Sequence, residues 1–207
     1  MIGVIDYGIG NLRSVQKALQ RVGGDAQLVT TPEQIAQADK IVLPGVAAFG
    51  DAMEQFRQRG LIEPVRAAIA RGTPYLGFCL GLQLLFETSS EDGDHAGLGV
   101  LPGKVVRFDA EFMARGQRRL AVPHMGWNQL HIRRACPMLQ GIADGDHVYF
   151  AHSYHVVPAD EALVVTTTDY GYDFVSSVAR DNVFATQFHP EKSQAVGLRL
   201  LENFVRL

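Results

Sequence analysis

Cysteine is scarce in this sequence: of its 207 residues only Cys79 and Cys136 carry thiols. Two thiols so far apart make neither a Cys-x-x-Cys metal site nor a disulfide framework, and a reducing, intracellular setting is expected. An excess of either charge is also missing. Lys and Arg number 19 against 22 Asp and Glu, a formal net charge of −3. Without a basic surplus, nucleic acid is not expected as the main ligand. Long apolar runs are missing too. The most apolar stretch, residues 74–86, contains Gln83 and is shorter than the roughly 20 residues that cross a bilayer. No basic segment leads into an apolar one at the start, so neither a targeting signal nor a membrane anchor is expected, and the expected location is cytoplasmic. What is present is ordinary: 47% hydrophobic and 20% charged residues. That composition argues against disorder, collagen-like repeats and coiled coil. The length suits a single domain over residues 1–207 with a sizeable core.

The first half alternates apolar runs with helical spacings. Strands are predicted over 2–6, 26–29, 40–43 and 74–78, and helices over 12–22, 51–59, 61–71 and 80–87. Thr31-Pro32-Glu33 reads as a further helix start. From residue 99 the chain becomes rich in β-branched and aromatic residues, with strands predicted over 104–108, 126–131, 147–153, 162–168, 174–179 and 183–188. An amphipathic helix over 193–205 follows. The predicted fold is α/β, a central, mostly parallel sheet flanked by helices with an additional antiparallel β portion.

Gly8-Ile9-Gly10 lacks the third glycine of a dinucleotide-binding loop, since Arg13 stands there. It reads as a turn with Asn11 as the N-cap of the next helix. Gly77-Phe78-Cys79-Leu80-Gly81 has the form Gly-x-nucleophile-x-Gly between a buried strand and a helix. In so tight a turn, glycines two residues either side relieve crowding, and the helix start favours a thiolate. The same five residues also suit a small structural cysteine between sheet and helix. In Phe188-His189-Pro190-Glu191, Pro190 biases His189 toward extended backbone, so that His189 and Glu191 share a face. A surface turn before the last helix is the plainer reading. Together the two motifs are more specific, because a thiol and an imidazole–carboxylate pair can meet at the C-terminal edge of an α/β sheet, as nucleophile, base and orienter for acyl transfer. Residues 43–50 would form a loop beside the cysteine. His124, His147, His152 and His155 have no metal spacing and read as structural, His95 and His131 as exposed, and Cys136 as structural.

Residues 77–83 together with Phe188-His189-Pro190-Glu191-Lys192 resemble the class I (triad) glutamine amidotransferase family. Residues 123–128 and 149–154 resemble, more narrowly, the branch that serves imidazole glycerol phosphate synthases in histidine biosynthesis. The resemblance implies a cysteine attack by Cys79 on the glutamine side-chain amide, with His189 moving the proton and Glu191 orienting it. It also implies that Leu80 and the Gly45-Val46 region hold the oxyanion, and that Gln83 with Ser153-Tyr154 holds glutamine. Asn11, Tyr149 and Lys192 match positions near a partner interface. Ala47 departs from the family, which often has glycine there. No metal and no cofactor are implied. The implied partner is a cyclase subunit, a (β/α)₈ barrel joined in a heterodimer, because a barrel takes ~250 residues and does not fit in this chain. Competing readings are a glutaminase for another synthase (pyridoxal phosphate, anthranilate or aminodeoxychorismate), a cysteine peptidase or thiol esterase, and a silent partner protein.

Overall fold

The computed structural model describes residues 1–109, 111 and 120–207. Short apolar segments build a parallel sheet: β1 (Ile2–Ile5), β2 (Ala26–Val29), β3 (Lys40–Leu43), β4 (Tyr75–Phe78) and, far along the chain, β14 (Val183–Thr186). Their order is β2-β1-β3-β4-β14. Both faces are covered, so successive residues bury on opposite sides. Ile41 and Leu43 join one core cluster, with Phe49 and Phe56, while Val42 joins the other, with Phe150 and Phe204. The sheet continues antiparallel from β14 through β13 (Asp173–Arg180) and β12 (Val164–Asp169) to β9 (His131–Ile132). A second sheet pairs β5 (Phe86–Ser89), β6 (His95–Ala96), β7 (Leu101–Arg107) and β11 (Tyr154–Pro158). The hairpin-like pair β8 (His124–Gln129) and β10 (His147–His152) stands apart.

The helices are α1 (Leu12–Arg21), α2 (Pro32–Gln37), α3 (Phe49–Gln58), α4 (Ile62–Ala70), the single turn α5 (Leu80–Gln83) and α6 (Gln194–Arg206). The α/β class and the mostly parallel sheet agree with the sequence. Thr31 completes a capping box with Gln34 at the start of α2. Asn11 stands at the N-cap of α1, but its side chain makes no capping bond.

The helix predicted over 80–87 is a correction. It stops after Gln83, because carbonyls 84 to 87 accept from the N–H groups of Leu98, Val100, Gly99 and Gly97. Phe86–Ser89 instead pairs with β6 and β7 as a strand. Four strands, β5, β6, β9 and β11, were not apparent in the sequence. Cys136 is the N-cap of the 3₁₀ turn Pro137–Leu139. His95 and His131 are half-buried rather than exposed.

Candidate active site

Cys79 sits between β4 and α5 with φ 51° and ψ −103°. A non-glycine residue in that region stores roughly 1–3 kcal/mol of strain, a frequent mark of functional sites. The flanking glycines are sterically required. A Cβ on Gly81 would lie 1.8 Å from the carbonyl oxygen of Leu43, and one on Gly77 2.6 Å from that of Gly81. Cys79 is 6% exposed.

His189 reaches the same place from the neighbouring strand. β14 runs parallel to β4 with Thr186 beside Phe78, and Cys79 N–H donates to Thr186 O at 2.7 Å. His189 follows three residues later. Its backbone N–H donates to Tyr149 O (2.9 Å), and its carbonyl accepts from Ser193 Oγ (2.7 Å). With φ −100° and ψ 97° it is extended, as a residue before proline prefers. Nδ1 lies 3.0 Å from Glu191 Oε1, with side-chain exposures of 2% and 3%. That contact leaves Nε2 as the free end of the ring.

Nε2 of His189 and Oε2 of Glu191 are buried without a hydrogen-bond partner. The Cys79 thiol is directed at Ala151 O, 3.9 Å away. Burial favours a neutral imidazole, but the adjacent Cys79 and Glu191 charges outweigh it and raise the His189 pKa to about 10. No aligned thiol–imidazole hydrogen bond joins the two side chains.

A cavity of about 410 Å³ opens beside the thiol. Val46, Leu80, Gln83, Ser153 and Tyr154 line it, as does Ala47. Gly45 is buried behind it, where a Cβ would meet Tyr7 Oη at 2.4 Å and Leu80 Cβ at 2.9 Å. Met125 and His152, from the segments 123–128 and 149–154, also line the cavity, as does Glu91, which carried no signal in the sequence. Glu91 additionally accepts from Phe49 N–H at the start of α3 (2.8 Å). Burial, the largest influence, raises its pKa. Among the described residues, no group of three or more His, Cys, Asp or Glu is arranged to hold a metal.

A run of oriented hydrogen bonds lies behind the cavity. Tyr154 O accepts from Gln83 Nε2 (3.0 Å) and lies 2.8 Å from His152 Nδ1, which must therefore carry a proton. His152 Nε2 is then left to accept from His124 Nδ1 across 3.3 Å. Burial lowers the pKa of both rings, that of His124 to about 4. The structural reading of these two histidines holds for His124; His152 also lines the cavity. Gln83 Nε2 further contacts Gln187 Oε1 (3.3 Å), and Gln187 Nε2 donates to Cys79 Sγ (3.5 Å).

Tyr149 and Lys192 come together, with Nζ 5.8 Å from the ring centroid. Trp127 packs on the same ring at 5.9 Å. Asn11 is exposed at the start of α1, which packs beside the turn Pro190–Lys192. No helix among the described residues is long and apolar enough to cross a membrane.

Residues 3–207 match the model of the family described as glutamine amidotransferase class-I. The chain is 56% identical over 204 residues to the Syntrophotalea carbinolica protein named imidazole glycerol phosphate synthase subunit HisH, with 99% of this chain and 98% of that one covered. It is 54% identical to the Aquifex aeolicus protein of the same name, over 98% and 95% of the two chains. A crystal structure of a glutamine amidotransferase superposes with TM-score 0.74 at 22% identity, covering 100% and 99% of the chains. The structure of PurLQS from Thermotoga maritima also gives 0.74, at 18% identity over 99% and 97%. At those identities the structural likeness carries the fold alone. The chain belongs to the class-I glutamine amidotransferase family.

Proposed function

We propose that this chain is the glutaminase subunit of an imidazole glycerol phosphate synthase, with Cys79, His189 and Glu191 as its catalytic triad. The chemistry follows from the placement of the three groups. Cys79 Sγ attacks the carboxamide carbon of glutamine as a thiolate whose proton His189 already holds. The tetrahedral intermediate collapses as His189 returns that proton to the leaving nitrogen, so ammonia departs and a glutamyl thioester remains. Water, activated by the same imidazole, then releases glutamate and restores the thiol. Glu191 holds the ring with Nε2 free and stabilises its cation. Leu80, first in α5, and the Gly45-Val46 loop offer N–H groups to the oxyanion. Glutamine lies in the cavity bounded by Gln83 and Ser153-Tyr154. Glu91, the acidic residue among those lining it, meets the α-ammonium group.

The observation that carries this reading is the meeting of Cys79 with the His189–Glu191 pair at the ends of two adjacent parallel strands. Residues 1–207 act as one domain. Ammonia protonated in bulk water is no longer a nucleophile, so it passes directly to a partner, the cyclase subunit, a (β/α)₈ barrel in a heterodimer. That partner forms imidazole glycerol phosphate and an aminoimidazole carboxamide ribotide, and the pair works in the cytoplasm. Asn11, Tyr149 and Lys192 face this partner. Glutamate release should rise when the cyclase subunit and its nucleotide substrate are added together. Absence of any stimulation contradicts the assignment to this synthase, and cleavage of peptides or esters with glutamine untouched contradicts the glutaminase reading.

A further inference from the structure

Gln187 has no role in the triad, yet it is fully buried and touches the reacting atom. The backbone on either side of it is pinned. Gln187 N–H donates to Ser176 O (2.8 Å), and Thr186 Oγ1 donates to Phe188 O (2.8 Å). The orientation of its amide is also determined. A backbone carbonyl only accepts, so the Gln83 atom 3.0 Å from Tyr154 O must be the nitrogen. That same nitrogen lies 3.3 Å from Gln187. The Gln187 atom facing it must be the oxygen, and the end 3.5 Å from Cys79 Sγ must be the NH₂ group.

We infer that Gln187 is a further catalytic residue, donating from Nε2 to Cys79 Sγ and stabilising the thiolate, in an orientation that Gln83 imposes from the carbonyl of Tyr154. Gln83 is then a positioning residue for the nucleophile besides lining the cavity. The inference rests on the proposed role of Cys79 as nucleophile and adds a donor to it. Hydrogen bonds to charged sulfur or oxygen exceed neutral ones, so the effect is measurable.

The test is alkylation of the chain by iodoacetamide across pH, with peptide mass spectrometry separating Cys79 from Cys136. Gln187→Met keeps volume and removes the donor. It should move the rate profile of Cys79 about 1 pH unit or more to higher pH and lower kcat about 10- to 100-fold with KM little changed. Gln83→Met should move the profile in the same direction with no substrate present, whereas a residue that only binds glutamine would raise KM and leave the profile in place. If Gln187→Met does not fold, the Gln83→Met profile decides. Profiles that coincide with the wild type overturn the inference while leaving Cys79 as nucleophile. A folded wild-type chain whose Cys79 is alkylated at no pH overturns the triad reading beneath it.

Discussion

Gly81 passes so close to Leu43 that a single added carbon would lie 1.8 Å from the Leu43 carbonyl oxygen. The contact sets how tightly α5 folds back over β3, and with it the direction of the Cys79 side chain. Because backbone, not a flexible side chain, is the obstacle, the structure cannot absorb the change locally. Gly81→Ala should destabilise the chain by about 3 kcal/mol or more and abolish glutaminase activity. Urea denaturation with the activity of the residual folded fraction checks both.

The strained backbone of Cys79 predicts a trade between stability and chemistry. At φ 51° glycine is unstrained, while alanine keeps the Cβ that causes the strain. Cys79→Gly should be about 1 kcal/mol more stable than Cys79→Ala, with both variants inactive. Equal stabilities in matched denaturation curves would refute a strained elbow.

The His189 proton should make stability depend on alkaline pH. Its folded pKa, about 10, lies above the ordinary 6.5. The folded state therefore holds this proton more tightly than the unfolded chain. The resulting stabilisation is complete below pH 6.5 and is lost as pH rises through about 10. Glu191→Gln removes one of the charges that raise it, so the upper end of the window should move down. Denaturant midpoints measured across pH for both chains test this.

Acid should act through other histidines. His124 stacks against Phe150 and Tyr170, with centroids 4.8 and 3.9 Å away, and burial lowers its pKa to about 4. Below pH 6.5 the unfolded chain takes up a proton here that the folded chain refuses, so stability should fall between pH 6.5 and about 4. His124→Phe should flatten that decline. At pH 8 it should cost about 1–3 kcal/mol, because His152 Nε2 loses its donor. A thermal melting series over this range distinguishes the two chains.

Glu91→Gln tests the substrate's seat. The amide still accepts from Phe49 N–H, but the negative charge is gone. KM for glutamine should rise about 10-fold or more while kcat stays within a few-fold. Steady-state glutamate release provides both constants.

Much of this site was legible because its rules are local. Gly77 and Gly81 mark a tight turn whatever surrounds them, and Pro190 sets the backbone of His189 from the next position. The apolar runs of β1, β3 and β4 announce strands buried on both faces. What escaped depends on distant partners. The helix predicted over 80–87 ends early because carbonyls 84 to 87 bond to residues 97–100. Gln187 acquires meaning only through Gln83, 104 positions away. His124 and His152 meet because they stand opposite one another in the β8–β10 pair. No pattern of spacing within either segment announces those contacts.

The central claim is that Cys79 forms a covalent bond to the glutamyl group. The direct measurement is acid quenching of the chain with its cyclase partner during turnover of glutamine, followed by peptide mass spectrometry. A glutamyl adduct should appear on the peptide containing Cys79 and be absent in Cys79→Ala, which should release no glutamate. Glutamate release by Cys79→Ala at the wild-type rate would contradict the account.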